Sequence, residues 1–397
     1  MRSPIEIEID IDIDIDIAIA CSGLGHVRRG NETWAEDVSA ALHRAGARVT
    51  LLGGGPNPDA VAPYVRVPNL RRDFPVLRRL VPWSKRYLAE QLTFLRGLRR
   101  RLLAGPWRLV HLCDPDLALQ MHWRRGGSGF RVVFKDGMCL GPQWCSRLDF
   151  VQVLAPHYRD VVAREAGVDT SGWFVIPHLV DVGRFRPPAD RRAARRAWPE
   201  LGLPQDAFVV LGVGDYSVDG NKRLDWLVRE VASLPQSAGA YLVLAGQSDP
   251  SRMGRFEAQA RGLLGERVRL LRNLPRPQVL RLYEVADVFA HAALREPFGI
   301  VFLEAMACGL PLVGHTWPVT QWVIGDAGET LDMTKPGALS EVLARWAREP
   351  EERNAVAGRA RRRAEEFFAP DRLVPRYLAM YETILAAGSG ATGVTRE

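Results

Sequence analysis

The chain has 397 residues, of which 47% are hydrophobic and 25% charged, with a formal net charge of +7. This length exceeds one ordinary core and suits two α/β domains of roughly 170–200 residues each, and the composition is that of a soluble globular protein. No run approaches the ~18 apolar residues needed to span a bilayer. The N-terminus is acidic where a signal peptide would be basic, and five scattered cysteines without zinc-finger spacing fit a reduced cytosol. The charge is uneven. Between Arg66 and Arg108 eleven arginines and Lys85 face only Asp73 and Glu90, a local excess of ten positive charges. The rest is slightly acidic, so a domain-wide nucleic-acid footprint is not expected and one local basic surface is.

In chain order, Ile5 to Ile17 alternates isoleucine with Glu or Asp. Residues 1–14 read as a low-complexity extension whose Asp-x-Asp triplets only imitate a metal site. The first strand of a parallel sheet should be apolar on both faces, which places it at Ile15–Ala20. Cys21-Ser-Gly-Leu-Gly-His-Val-Arg-Arg-Gly30 then leads into a helix from about Glu32 to Ala45. A strand, a Gly-rich turn at Gly23 and Gly25, and a helix form phosphate-cradle geometry, with Arg28 and Arg29 nearby. His26 is equally suited to packing or to ligand contact. Arg48–Gly53 reads as a strand, and Tyr87–Leu103 as an amphipathic helix with an arginine-rich side. That side fits either a solvated face or a surface for anionic lipid or an anionic acceptor. Strands follow at Arg108–Cys113, Arg131–Phe134 and Phe150–Leu154. Asp114-Pro-Asp116 reads as a turn or helix cap, and Asp136 ends a strand at the edge where the ligand crevice of an open α/β sheet lies.

The second half repeats the pattern, with strands at Phe208–Tyr216 (ending in glycines), Tyr241–Gln247, Arg267–Leu271 and Asp287–Leu294. After the last of these comes Arg295-Glu-Pro-Phe-Gly-Ile-Val-Phe-Leu-Glu-Ala-Met-Ala-Cys-Gly-Leu-Pro311. Gly299 lets the backbone turn, and helix formers run from Ile300 to Cys308. The turn amides and the positive helix end make an anion site. Glu296 and Glu304 flank it, and because carboxylates repel phosphate they suit the hydroxyls of a sugar or ribose. Phosphate and polyol together point to a nucleotide sugar.

Glu296-Pro-Phe-Gly, Glu304 and the Ala-x-Ala-Cys-Gly-Leu-Pro-Leu-Val behind them resemble the Glu-x7-Glu signature of the family-four (group 1) retaining glycosyltransferases. The likeness is strongest over 287–332 and covers most of Ile17 to Ala386. It implies an α/β protein of the GT-B fold, two facing Rossmann-like doubly wound domains with an interdomain cleft. The expected division is 15–177 for the N-terminal acceptor-side domain and 178–368 for the nucleotide-sugar-binding domain. A helix over 369–387 would return to the first domain, before a tail at 388–397. Trp173–Pro187 resembles the family's interdomain linker, with His178 and Leu179 replacing its usual Asn and Gly.

The resemblance implies a nucleotide-sugar-dependent hexosyl- or glycosyltransferase that retains anomeric configuration without metal or other cofactor. Glu296 and Lys222 would be catalytic, Glu296 on donor-sugar hydroxyls and Lys222 on the leaving diphosphate. Donor-binding groups would be Gly23, Gly25, Gly214, Arg223, Asn273, Leu274, Phe298, Gly299, Ile300, Val301 and Glu304. Of these Glu304 binds the ribose and the Asn273–Leu274 backbone the base. His26 and Asp136 are candidates for sugar or acceptor contact, although Asp136 stands where many members carry His, and Asp215 stands near the place of a usual Arg. The alternatives are a nucleotide-sugar epimerase of the same architecture or a catalytically silent nucleotide-sugar-binding protein. The expected partners are a nucleotide-sugar donor and an anionic or lipid-linked acceptor. The expected location is cytoplasmic, with peripheral contact at the inner membrane face through 66–108.

Overall fold

A computed structural model describes residues 15–27, 29–126, 129–216, 220–246 and 250–387. The Ile/Asp repeat before Ile15, Arg28 and the tail from 388 lie outside the described residues. The chain divides into two compact units, one of residues 1–179 with 370–397, the other of 180–369.

The first unit holds a seven-stranded parallel sheet in the order β3-β2-β1-β4-β5-β6-β7. Its strands are β1 (Ile17–Cys21), β2 (Val49–Gly53), β3 (Tyr64–Arg66), β4 (Leu109–Leu112), β5 (Arg131–Asp136), β6 (Val151–Val153) and β7 (Trp173–Val175). Side chains alternate across a strand, so a central strand covered on both faces must be apolar at every position. β1 meets that requirement. Ile17, Ile19 and Cys21 enter one core with Trp34, Val38 and Leu378, while Ala18 and Ala20 enter another with Phe94, Leu98 and Leu117. The first core is covered by helix α1 (Gly30–Arg44) and the last helix among the described residues, Pro370–Ala386. Trp34 donates its indole N–H to Tyr377 Oη at 3.1 Å, and His111 Nδ1 lies 3.0 Å from Tyr381 Oη. The second core is covered by α3 (Trp83–Ala104) and α4 (Pro115–Arg124). A short helix, α2 (Pro75–Leu80), precedes α3.

Two expectations are corrected here. Trp173–Val175, read as linker, is paired as the edge strand β7 against β6; its Trp-Phe-Val is β-prone, and β6 offered a free edge. The strand expected over Asp287–Leu294 keeps only Val288–Ala290 in the ladder, because the chain leaves the sheet after His291 donates its amide to Val313 O.

The second unit repeats the theme with six parallel strands in the order β10-β9-β8-β11-β12-β13. They are β8 (Phe208–Val213), β9 (Ala240–Gly246), β10 (Val268–Arg272), β11 (Val288–Ala290), β12 (Leu312–His315) and β13 (Gly328–Leu331). Val209, Val210 and Leu211 are all fully buried, the mark of a strand covered on both faces. In each sheet the order runs outward one way from the first strand and then restarts on its other side. Each unit therefore has a crevice at the carboxyl ends of its strands, between β1 and β4 in one and between β8 and β11 in the other.

Candidate functional site

The second unit's crevice is built by the loops after β8 and β11. Gly214 directly follows β8, and a Cβ there would meet Lys222 Cβ at 2.8 Å, so glycine lets Lys222 approach the strand end. From the other side the chain runs through His291 to Glu296. Glu296 is buried, yet its Oε2 lies 2.5 Å from Lys222 Nζ and 2.7 Å from His291 Nε2. Burial by itself pushes this carboxyl up. The hydrogen bond and positive potential of His291, joined by the Lys222 ammonium, outweigh that and hold it down at about 2. A carboxylate kept ionised out of water is a strong acceptor with a fixed direction.

Gly299 closes the turn at φ +82°, a left-handed conformation that L side chains rarely take, and a Cβ there would strike the Phe302 ring at 2.6 Å. The eight-residue helix Ile300–Ala307 begins at once, so Ile300 and Val301 supply first-turn amides. Phe298 faces the other way. Its ring is buried against Trp322 and Phe368, so the side chain anchors the turn from the core side. Glu304 is buried one turn from the end of this helix and accepts the Tyr283 hydroxyl hydrogen at 2.7 Å. Arg223 has a left-handed backbone at φ +48°. Its guanidinium donates to Met333 O at 2.8 Å and stacks on Trp226, so it ties two loops together rather than standing beside Lys222 as a second free cation. Asn273, also left-handed at φ +52°, follows β10 and donates its amide to Gly246 O. Its side chain is exposed, and Leu274 is half-buried.

The first unit's crevice is filled by its own polar groups. Arg72 lies at the centre, with Nε 2.8 Å from Glu90 Oε1 and a terminal nitrogen 3.3 Å from Glu32 Oε1. Glu90 also accepts from Arg72 N, from Ser22 Oγ at 3.2 Å, and lies 3.1 Å from His26 Nε2. Burial pushes the Glu90 carboxyl up, but His26 and Arg72 win and bring it below its usual range. Glu32 and Asp114 are pushed up by burial. Gly23 is a close approach: a Cβ would lie 2.3 Å from Glu32 Oε1 and 2.4 Å from an Arg72 nitrogen. Gly25, at φ +86°, packs on Gly55 backbone, and the amides of His26 and Val27 donate to Gly23 O. The Gly-rich turn thus closes over a buried ion cluster.

Three sequence expectations change. Asp114, read as a turn or cap, stands at the helix start but is fully buried and accepts from Ser22 N at 2.6 Å and Tyr87 Oη at 2.7 Å. Its oxygen and the sulfurs of Cys21 and Cys113 lie within 4.8 Å of one another. Both thiols are pushed up, Cys21 by its hydrogen bond with Cys113 and by burial, Cys113 by burial. Asp136 organises its own loop, accepting from the amides of Met138 and Leu140, because a strand-end carboxylate finds unpaired amides nearest. Glu90, counted with a basic surface, points inward from α3. Sequence reasoning missed His291, Tyr283, Arg72, Glu90 and Glu32. Only His291 left a signal, a polar residue directly after an apolar strand and five before Glu296.

Residues 196–363 match the family model described as "Glycosyl transferases group 1". The chain is 31% identical over 242 residues to a D-inositol 3-phosphate glycosyltransferase of Thermomonospora curvata, covering 56% of this chain and 55% of that protein. It spans about half the length of the curated relatives it matches. Among solved structures it resembles sucrose-phosphate synthase from Thermosynechococcus elongatus, with a TM-score of 0.76 at 22% identity over 94% of this chain and 100% of that one. It also resembles Anabaena HepE in complex with UDP and glucose, with a TM-score of 0.74 at 16% identity over 93% and 100%.

Proposed function

With residues 196–363 belonging to the group 1 glycosyltransferases, in a chain of the GT-B fold, we propose that this protein transfers a glycosyl group from a nucleotide-diphosphate sugar to an acceptor hydroxyl, with retention and without a metal. The observation that carries the reading is the buried, ionised Glu296 beside Lys222, at the crevice where β8 and β11 diverge and where a helix starts at Gly299. Anabaena HepE, a structural neighbour, was solved with UDP and glucose, which supports a donor of that class.

In this mechanism Glu296 accepts hydrogen bonds from donor-sugar hydroxyls, and its fixed charge favours the positive character that the anomeric carbon gains as the leaving bond stretches. The diphosphate takes the bonding electrons. Its new charge meets the Ile300 and Val301 amides and Lys222, which moves from Glu296 to the phosphate. The acceptor oxygen attacks the same face and its proton passes to the leaving phosphate oxygen, so no protein base is required. Glu304, steadied by Tyr283, holds the ribose, and the Asn273–Leu274 backbone meets the base. We take the acceptor to be an anionic or lipid-linked hydroxyl compound.

Slow donor hydrolysis tests this without knowledge of the acceptor. A panel of nucleotide sugars is incubated with the protein, with and without chelator, and the first-formed anomer of the released sugar is read by NMR. The expected outcome is the donor's own configuration at a chelator-independent rate. An inverted product, or a rate abolished by chelator and restored by manganese, would overturn the mechanism. An epimerised donor with no sugar released would replace transfer by isomerisation.

A further inference from the structure

The first unit carries a surface that transfer chemistry does not explain. Helix α2, Pro-Val-Leu-Arg-Arg-Leu, has no buried residue. Val76 is 57% and Leu80 73% exposed, with Phe74 on one side and Trp83 on the other also exposed. Of the fourteen large hydrophobic side chains exposed among the described residues, eight fall between Leu70 and Leu103, so they are concentrated rather than scattered. Helix α3 extends the same surface. Its inner face, with Phe94, Leu98 and Leu102, is buried in the sheet core, and a domain helix needs only that one apolar face. Leu88 and Leu92 nevertheless stand exposed on its other side, among exposed Lys85, Arg96, Arg99 and Arg100. No helix among the described residues is long and apolar enough to cross a membrane.

We propose that α2 and the outer face of α3 dock on the surface of an anionic lipid bilayer. Apolar side chains on an unburied short helix, a tryptophan beside them and a rim of arginines are what an interfacial segment requires. The apolar groups enter the acyl boundary, the indole sits at headgroup level, and the cations meet lipid phosphates. The local excess of ten positive charges selects among occupants. A second copy of this chain would oppose the same basic patch to itself across a two-fold contact. Nucleic acid would use the arginines but leave Leu80 and Val76 in water. The inference goes beyond the proposed reaction and does not depend on it.

Flotation with phosphatidylcholine vesicles, with and without phosphatidylglycerol, tests the proposal on the full chain. The wild type is expected to float with the anionic vesicles at low salt, to stay behind with neutral ones, and to be released by high salt. Val76→Glu with Leu80→Glu should abolish flotation. Arg79→Gln with Lys85→Gln should lower the partition constant by about thirtyfold, the equivalent of about 1 kcal/mol per basic group. All should keep the wild-type melting temperature and donor-hydrolysis rate, because none of these side chains is buried. The proposal is overturned by absence of flotation at low salt, by equal partition to neutral vesicles, or by variants that float like the wild type. A concentration-dependent dimer that Leu80→Glu dissolves, without flotation, would assign the surface to a second copy instead.

Discussion

The two crevices share a topology and differ in what fills them. In the first unit Arg72 stands among Glu90, Glu32, Ser22 and His26, and Asp114 is satisfied by Ser22 and Tyr87, so the charged groups answer one another, although His26 Nδ1 is left without a partner. In the second unit one carboxylate, Glu296, takes both Lys222 and His291 as partners, and the Lys222 side chain remains 30% exposed. The lesson is that a crevice of this kind needs charge in either case. A cluster whose charges are paired and buried holds loops together, whereas one with a part-exposed cation has capacity left for a ligand. Each prediction below breaks or sharpens that contrast.

The largest effect is expected from Arg72→Met. It leaves Glu90 and Glu32 buried without their cation, and removing one partner of a buried pair costs about 3–5 kcal/mol. Hydrogen exchange read separately in β1 and β8 peptides should show β1 opening far more readily while β8 is unchanged. Nucleotide-sugar binding should persist. Lost donor binding with unaltered β1 protection would mean that the first cluster is binding machinery and the contrast is wrong.

Next in size is Glu296→Gln, which should lower donor hydrolysis on the order of 100-fold, the scale of one transition-state hydrogen-bonding group. A neutral amide is a weaker acceptor than a carboxylate, but it keeps the shape of the turn. Protection in β8 should move far less than the rate does. Wild-type turnover in this variant would remove Glu296 from the chemistry.

The smallest effect separates the units by acid. Glu296 is held at about 2 in the folded unit, against roughly 4.3 for an unperturbed glutamate. Below that value the unfolded chain binds the proton first, so the stability that Glu296 contributes is complete above about pH 4.3 and drains away toward pH 2. Glu32 and Asp114 act oppositely, since burial raises them and acidification relieves the cost of keeping them charged. Glu90 alone in that cluster follows the Glu296 pattern. Between about pH 4.3 and 2 the β8 peptides should therefore lose protection before those of β1. The reverse order would show that the acid response is not set by these carboxylates.

Much of the second site was legible because its parts are contiguous. Glu296, Gly299, Ile300 and Glu304 lie within nine positions of one another, and a left-handed turn before a helix dictates glycine at one of them. The first site was not legible. Arg72 and Glu90 sit in a stretch that composition marks as a wet basic surface, and nothing in their spacing says that these two turn inward while Arg78, Arg79 and Arg100 stay outside.

The sequence alone determined the two doubly wound halves, because strands buried on both faces must be apolar throughout, as Ile17–Cys21 and Phe208–Val213 are. It also determined the glutamate, glycine and helix start of the second crevice, since their geometry is local. Only the tertiary structure decided which charges pair. Lys222 reaches Glu296 across 74 positions and Asp114 reaches Ser22 across 92. Parallel pairing brings strand ends together regardless of their separation along the chain. Burial there makes every unpaired charge costly, so the partners follow from the topology rather than from any spacing in the chain.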